Sequence, residues 1–182
     1  LLDEGKTAEA KEYLDRVSSQ ETKYLKSFDS GNYAVDVVMN HEMAAAKEQG
    51  VVLDTSILVP RKLPFKDEDL CSLLSNLLDN AMEAASQAGV AEPTVNISII
   101  PRQEYLFIRV TNPVDKTLPE KRRMTLETTK TNHTELHGYG TRIIRRIAES
   151  YNGSVKYSMS GGIFTTDVML EMPEEKSVEE ET

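Results

Sequence analysis

The sequence has one cysteine, no tryptophan, few positive charges and no long apolar run. The lone Cys71 excludes an intramolecular disulfide and is typical of a small apolar residue in a core. No apolar stretch is long enough to cross a membrane, and no secretory signal is present. The 21 Lys and Arg residues are outnumbered by 30 Asp and Glu residues, so the formal net charge is -9. That balance argues against a nucleic-acid-binding surface, which needs an excess of cations along the phosphate backbone.

The residues that are present suit a globular domain with a core of its own. Hydrophobic residues make up 39% and charged residues 28% of the 182 positions. The chain starts "LLDEGKTAEA" without a methionine, and we expect it to be a fragment of a longer protein. We predict three parts: a helical segment over residues 1–50, a mixed domain over 51–173, and an acidic, disordered tail over 174–182.

Apolar residues at helical spacing predict two amphipathic helices in residues 1–50, the second from about Tyr33 to Gln49. Little else in this segment could cover their apolar sides. The helices therefore need a partner, either the rest of the chain or a second copy of it. A third helix follows in the mixed domain, with Asp67 or Asp69 as its N-cap.

The remaining segments alternate between strands, loops and helices. "VVLDTSILVP" predicts a strand, and "TVNISII" and "YLFIRV" alternate as the two strands of an antiparallel hairpin joined by "PRQE". Residues 112–137 lack periodicity, and a polar loop of this length inside a compact domain is typical of a functional lid. A helix to about Tyr151 and a second hairpin complete the domain. This order predicts an α+β fold, a two-layer sandwich in which helices cover one face of a mixed sheet.

The third helix carries polar residues on the flank of an apolar stripe. At 100° per residue, the stripe consists of Leu70, Leu73, Leu74, Leu77, Leu78 and Ala81. Asn76, Asn80 and Glu83 project together from its flank, where the helix would line a cleft. Oxygen ligands at such an edge suit Mg²⁺, which takes one or two protein ligands beside substrate phosphates. Alternatively, the asparagines are surface residues or bond to neighbouring loops.

The stretch "HGYGT", His137 to Thr141, places two glycines at the start of a helix. The helix dipole, the unpaired amides and the missing side chains favour the close approach of a phosphate there. The alternative is an ordinary tight turn. The stretch ends a basic loop whose cations are Lys116, Lys121, Arg122, Arg123 and Lys130. Such a charge run is also typical of a solvated loop.

These motifs, in this order, resemble the ATP-binding domain of the GHKL, or Bergerat, fold, which sensor histidine kinases share with DNA gyrase, the mismatch-repair ATPases and the heat-shock chaperone ATPases. "NLLDNAMEA" is similar to the asparagine box of that family, and "GYGT" stands where the glycine box before the post-lid helix is found. "TTK", Thr128 to Lys130, resembles the quorum-sensing, peptide-receptor kinases. "LLDEGKTAEAKEYL" resembles part of their dimerisation hairpin. The resemblance covers residues 1–172.

The resemblance implies ATP and Mg²⁺ as cofactors and a role for each site residue. Asn80 would ligate Mg²⁺, and Asn76 would support the phosphate–metal end as the second candidate ligand. The amides of Gly138 and Gly140 would hold phosphate, with Lys130 as a contact from the lid. The complete implied nucleotide-binding set is Asn76, Asn80, Glu83, Asn112, Lys130, His137, Gly138, Tyr139, Gly140 and Thr141.

Two positions depart from the family pattern. In "VTNPV", Asn112 stands where relatives carry an aspartate that reads the adenine amino group, and the glycines that usually follow are missing. An amide oxygen accepts a hydrogen bond from adenine without a charge, so we expect weak binding. Thr141 replaces the leucine that ends the second glycine box, which is a smaller change.

The implied function is that of the catalytic core of a sensor histidine kinase, a protein-histidine kinase that places the γ-phosphoryl of Mg-ATP in line with a histidine. In the resemblance, that histidine lies upstream of "LLDEG", and His41, His133 and His137 do not fit the role. We therefore assign no catalytic residue and expect this chain alone not to phosphorylate itself. Two alternatives stay open: a non-catalytic dimeric scaffold or phosphotransfer partner with a degenerate nucleotide site, and an anti-sigma-type serine/threonine kinase.

The expected partners follow from the same resemblance. They are ATP, a second copy of the chain bound through the helical segment, and a response regulator of unknown identity. No nucleic acid is expected. We expect the chain to be the cytosolic portion of a sensor that reaches the membrane only through an upstream region.

Overall fold

The computed structural model describes residues 28–115 and 139–172 of the chain. These residues form α1 (Tyr33–Glu48), β1 (Val52–Ile57), α2 (Asp67–Ser86), β2 (Thr94–Arg102), β3 (Tyr105–Pro113), α3 (Tyr139–Ser150), β4 (Ser154–Ser160) and β5 (Ile163–Glu171). Within the described ranges, no helix is both long enough and apolar enough to span a bilayer. The predicted first helix, the predicted tail and most of the predicted loop of 112–137 lie outside these residues.

The five strands form one mixed sheet in the order β1-β2-β3-β5-β4. β1 runs parallel to β2, and the other neighbouring pairs are antiparallel. The turn between β2 and β3 is shorter than the predicted "PRQE", because Pro101 and Arg102 continue the strand and pair with β3. Gln103 in this turn has a φ of 54°.

The two faces of the sheet differ in polarity. Alternate residues of the β2–β3 hairpin are buried on one face, as predicted, and these are Val95, Ile97, Ile99, Leu106, Ile108 and Val110. The other face carries polar pairs such as Arg109 and Asp167, whose Nε and Oδ1 atoms are 2.6 Å apart. All three helices therefore pack on the apolar face, which confirms the α+β two-layer sandwich.

The helix α2 lies at the centre of the helical layer, between α1 and α3. Its predicted apolar stripe is buried throughout, from Leu70 to Ala81. The apolar side of α1 is buried in the same core, and its members are Ala34, Val35, Val38, Met39 and Ala46. The central position of α2 leaves its polar flank beside the start of α3.

The start of α2 differs from the prediction. Lys66 occupies the N-cap position in an extended conformation without a side-chain cap bond, and Asp67 already lies inside the helix. The prediction of Asp67 or Asp69 as the N-cap was therefore wrong. The Asp69 carboxylate instead accepts a hydrogen bond of 2.8 Å from the Tyr151 hydroxyl, just after α3. Three acidic residues in the first turn still complement the helix dipole.

Candidate functional site

The second residue of α3, Gly140, lies directly against the asparagine edge of α2. A Cβ atom built on Gly140 would be 2.9 Å from Asn76 Oδ1 and 3.4 Å from both Asn80 Nδ2 and Asn80 Oδ1. Contacts of a Cβ atom below 3.0 Å essentially do not occur in proteins, so a side chain fits here only if Asn76 moves. The fold thus brings two motifs that are distant in sequence into close contact, and this contact depends on the absence of a side chain at residue 140.

The polar side chains of the α2 edge differ in exposure and bonding. Asn76 is half-buried, and its Nδ2 donates a hydrogen bond of 2.7 Å to the Ser72 carbonyl one turn earlier. That bond fixes the amide and leaves Oδ1 beside Gly140. Asn80 and Glu83 are exposed. The edge therefore presents the amide oxygens of Asn76 and Asn80 next to the start of α3.

The start of α3 places backbone amides beside this edge. Amide groups in the first turn of a helix have no intrahelical acceptor, and the helix dipole is positive at that end. Tyr139 is 82% exposed and Thr141 is half-buried. The remaining predicted contacts, Lys130, His137 and Gly138, lie outside the described residues, and their roles stay predictions.

Asn112 lies on the helix-covered face of the sheet, near the end of β3. Its side chain is only 3% exposed, and its Nδ2 donates a hydrogen bond of 3.0 Å to the Pro113 carbonyl. Phe164 of β5 is its cross-strand neighbour and stacks on Tyr157 with 5.9 Å between ring centroids. Because the Pro113 carbonyl binds the nitrogen end of the amide, Oδ1 is the end that can accept a hydrogen bond from an amino group.

Two buried polar residues of the helix-covered side were missed in the sequence. Thr166 of β5, 8% exposed, lies two residues along the strand from Phe164. Glu42 of α1 is 1% exposed. Burial raises the pKa of the Glu42 carboxyl, and Asp79 raises it further, whereas the hydrogen bond from His41 lowers it. Glu42 could have been found, because it falls at helical spacing in the apolar side of α1.

The amide oxygens of Asn76 and Asn80 are ligands of a type that Mg²⁺ accepts. Among the described residues, no group of three or more His, Cys, Asp or Glu side chains could hold a metal ion. Mg²⁺ needs no such group, because it keeps several waters and takes one or two protein oxygens beside substrate phosphates. The amide oxygens of Asn76 and Asn80 beside Gly140 are therefore ligands of the kind that could hold a magnesium ion and its polyphosphate.

Comparison with known proteins gives consistent results. The sequence profile of the GHKL domain matches residues 65–171. The chain is 32% identical over 120 residues to the sensor protein kinase CarS of Pseudomonas aeruginosa. That alignment covers 64% of this chain and 25% of CarS, so the chain spans about a quarter of that relative.

Solved structures of low sequence identity share the fold. The catalytic domain of histidine kinase ThkA superposes with a TM-score of 0.57 at 13% identity, over 77% of this chain and 93% of ThkA. Full-length ShkA, in complex with AMPPNP, superposes with a TM-score of 0.57 at 15% identity, over 77% of this chain and 30% of ShkA. On the sequence match and the shared fold, this chain belongs to the GHKL domain family, in the form found in the catalytic domains of sensor histidine kinases.

Proposed function

We propose that this chain is the ATP-binding catalytic core of a two-component sensor histidine kinase. It transfers the γ-phosphoryl of Mg-ATP to a histidine of the first dimerisation helix, a role that His41, His133 and His137 do not fit. The observation that carries the proposal is the contact of Gly140 with Asn76 and Asn80, because it joins a helix N-terminus to a pair of amide oxygens at one open edge. In phosphoryl transfer the protein mainly positions the reactants and neutralises charge. The asparagine amides of α2 and the backbone amides at the start of α3 could serve these two purposes.

Each residue of the edge has a defined task in this proposal. Asn80 would hold the magnesium ion through its amide oxygen, and Asn76, fixed by its bond to Ser72, would support the same end of the nucleotide. The absent side chain at Gly140 lets the phosphates approach the first turn of α3. Mg²⁺, when bound, neutralises charge that develops on the phosphate oxygens. The phosphate contacts of Lys130, His137 and Gly138 stay predictions from the resemblance.

The adenine end is assigned to Asn112. Its Oδ1 accepts a hydrogen bond from the adenine amino group, and its Nδ2 stays on the Pro113 carbonyl. A neutral acceptor makes a weaker hydrogen bond than a carboxylate. We therefore expect the affinity of this chain for the nucleotide to be weak.

The wider assembly is part of the same proposal. The chain acts in the cytosol as a homodimer, and a response regulator receives the phosphoryl group from the kinase. Because the apolar side of α1 packs in the core of its own domain, the dimer contact is proposed for the part of the predicted helical segment 1–50 that precedes α1. The quorum-sensing subtype stays a prediction from "TTK" and the N-terminal stretch.

A non-catalytic scaffold with a degenerate nucleotide site is the second candidate. The replacement of an aspartate by Asn112 at the adenine position favours it. Adding the upstream helix with its histidine and supplying labelled ATP separates the two. Acid-labile phosphorylation supports the kinase, and its absence in a chain that binds the nucleotide supports the scaffold.

Calorimetric titration with Mg-ATP tests nucleotide binding directly. We expect saturable heat in the presence of Mg²⁺ and a loss of the Mg²⁺-dependent part in Asn80→Ala. Asn96→Ala is the matched control. It also removes an asparagine amide, but on the opposite face of the sheet, away from the proposed site. No heat and no thermal shift at millimolar nucleotide would refute the proposal, and unchanged affinity of Asn80→Ala would remove Asn80 from the metal site.

A further inference from the structure

Tyr151 follows directly after α3 and joins three parts of the fold. Its carbonyl accepts a hydrogen bond of 2.9 Å from the Glu171 amide at the end of β5. Its hydroxyl donates a hydrogen bond of 2.8 Å to Asp69 Oδ2 and accepts one of 3.1 Å from the Lys66 amide. Its ring packs edge-on against Phe65, with 5.0 Å between the ring centroids. This half-buried side chain therefore ties the end of α3 to the start of α2.

The two hydroxyl bonds complete the N-terminal cap of α2. Lys66 occupies the N-cap position without a side-chain cap, and Asp69 is the third residue of the helix. In a capping box, the side chain at this third position accepts a hydrogen bond directly from the N-cap amide. Here the Tyr151 hydroxyl lies between the two groups, since it accepts from the Lys66 amide and donates to the Asp69 carboxylate. The cap of α2 is therefore completed by a residue at the end of α3.

The Tyr151 hydroxyl keeps its proton at neutral pH. Burial raises the pKa of Tyr151, the hydrogen bond from the Lys66 amide lowers it, and the Asp69 carboxylate raises it again. A protonated hydroxyl can donate to one group and accept from another at the same time. Removal of the hydroxyl would deprive both the Lys66 amide and the Asp69 carboxylate of these bonds.

The same two helices meet again at the candidate site. Gly140, the second residue of α3, lies against Asn76 and Asn80 of α2. From Gly140 to Tyr151 the chain rises about 16 Å along the helix axis. The space at Gly140 is tight, because a Cβ atom there would be only 2.9 Å from Asn76 Oδ1. A small displacement of α3 along α2 would therefore change the contact between Gly140 and the two amides.

We propose that Tyr151 is a positioning residue for the nucleotide site. Its hydroxyl fixes the position of α3 along α2 and so sets the spacing between Gly140 and the amides of Asn76 and Asn80. This inference rests on the proposed function, in which Mg-ATP binds at that contact. A helix is a rigid element, so a directional bond at its end restricts movement at its start. The apolar contacts of α3 with the core are non-directional and restrict such movement less.

Tyr151→Phe removes the hydroxyl and keeps the ring that packs against Phe65. We would measure the Kd of Mg-ATP by calorimetry and the stability by urea unfolding, on the same samples of the full chain. We expect the Kd to rise about fivefold, which lies in the range by which residues remote from a site modulate binding. A merely structural role would lower the stability and leave the Kd of the folded protein at the wild-type value.

Asp69 offers a matched pair of variants. Asp69→Asn keeps an oxygen that can accept from the Tyr151 hydroxyl, whereas Asp69→Ala removes it. Both variants lose the same charge near the helix start, so their difference isolates the hydrogen bond. We expect a Kd near the wild-type value for Asp69→Asn and a rise of about fivefold for Asp69→Ala.

Val35→Ala is the control for a loss of stability alone. Val35 is fully buried in α1, on the side of α2 away from α3. The shorter side chain leaves a cavity and destabilises the fold. We expect this variant to be less stable than the wild type and to bind Mg-ATP with the same Kd.

NMR spectroscopy reports the position of α3 without any nucleotide. In Tyr151→Phe, the backbone amide of Gly140 and the side-chain amides of Asn76 and Asn80 should change their chemical shifts. The same signals should stay in place in Val35→Ala. Unchanged signals in Tyr151→Phe would overturn the inference, because the contact at Gly140 would then not depend on the hydroxyl.

The outcomes separate this inference from the proposed function. If the wild type does not bind Mg-ATP, the proposed function is refuted, and the amide shifts alone decide whether Tyr151 sets the contact of α3 with α2. If the wild type binds and Tyr151→Phe has the same Kd, only the role of Tyr151 is refuted. Where Tyr151→Phe does not fold, the Asp69 pair decides: equal Kd values for Asp69→Asn and Asp69→Ala would overturn the inference.

Discussion

Gly140→Ala is the most direct test of the close contact between α2 and the start of α3. The new methyl group would lie 2.9 Å from Asn76 Oδ1, which is closer than a Cβ atom tolerates. The nearest atoms belong to side chains, so the strain can be relieved if Asn76 rotates away. Such a rotation breaks the bond of 2.7 Å from Asn76 Nδ2 to the Ser72 carbonyl. The substitution therefore acts on the site through one identifiable side chain.

The expected effects on stability nearly cancel. Loss of the Asn76–Ser72 bond costs about 0.5–1.5 kcal/mol. Alanine in place of glycine in a helix contributes about 0.5–1 kcal/mol in the opposite direction. Gly140 does not have a positive φ, so its backbone conformation suits alanine. The free energy of unfolding should therefore change by less than about 1 kcal/mol.

The expected effect on binding is large. The methyl group fills the space through which phosphate would approach, and Asn76 leaves its place. We expect the Kd of Mg-ATP to rise at least about tenfold, or about 1.4 kcal/mol. Calorimetry gives the Kd, and urea unfolding gives the stability of the same sample. A Kd within twofold of the wild-type value in a folded protein would refute the placement of the phosphates at Gly140.

A double-mutant cycle identifies the cause of the loss. Asn76→Ala removes the oxygen with which the methyl group collides, so the pair Asn76→Ala and Gly140→Ala should be more stable than the sum of the single effects predicts. Nucleotide affinity should stay low in the double variant, because the Asn76 amide is absent and the alanine methyl group still lies at the start of α3. Strict additivity of the stability changes would show that the contact at 2.9 Å does not govern the site.

Three further predictions use other parts of the structure. Asn112→Asp should lower the Kd of Mg-ATP by about tenfold, because a carboxylate is the stronger acceptor for an amino group. The change also replaces the Nδ2 donor to the Pro113 carbonyl by an oxygen, so the Kd is compared in a variant that urea unfolding shows to be folded, and an equal or higher Kd there would argue against adenine at this position. Gly153→Ala should lower the free energy of unfolding by about 3 kcal/mol, because its Cβ would lie 2.0 Å from the Met169 carbonyl oxygen. A loss below about 1 kcal/mol in urea unfolding would contradict this prediction. The raised pKa of Glu42 means that the folded state holds its proton longer than the unfolded state, so stability should fall as pH rises from about 4.5 through the folded pKa; Glu42→Gln should lack this slope in unfolding curves, and an identical slope in both proteins would contradict the assignment.

The elements that could be predicted from the sequence are those fixed by local periodicity. The Leu70–Ala81 stripe and the alternation of the β2–β3 hairpin depend on residues a few positions apart, and both are buried as expected. The N-cap of α2 was wrong because several acidic residues follow one another, and only the tertiary contact of Asp69 with Tyr151 decides their roles. The parallel pairing of β1 with β2 also depends on a crossover that the local pattern does not contain.

The features of the candidate site also differ in whether the sequence predicts them. The motif around Asn76 and Asn80 and the motif around Gly140 are each visible in the sequence, whereas their direct contact is seen only in the structure. The burial of Glu42 beside the same helix has no counterpart in a motif. The sequence shows only one charged residue at helical spacing on the apolar side of α1. Whether such a residue is buried or exposed depends on the elements that pack on α1.

Asn112 is the residue at which a kinase and a degenerate scaffold predict different nucleotide selectivity. A kinase and a degenerate scaffold can share the same fold and the same magnesium edge, so neither the sheet nor Asn80 separates them. The difference lies in the adenine end, where the amide of Asn112 is fixed by the Pro113 carbonyl with its oxygen as the available acceptor. If that acceptor binds adenine, guanine should be rejected, because its carbonyl oxygen would oppose Oδ1. A preference of at least about tenfold for Mg-ATP over Mg-GTP would show that the position still selects its base, whereas equal and weak binding would indicate a site held by phosphate and metal contacts alone.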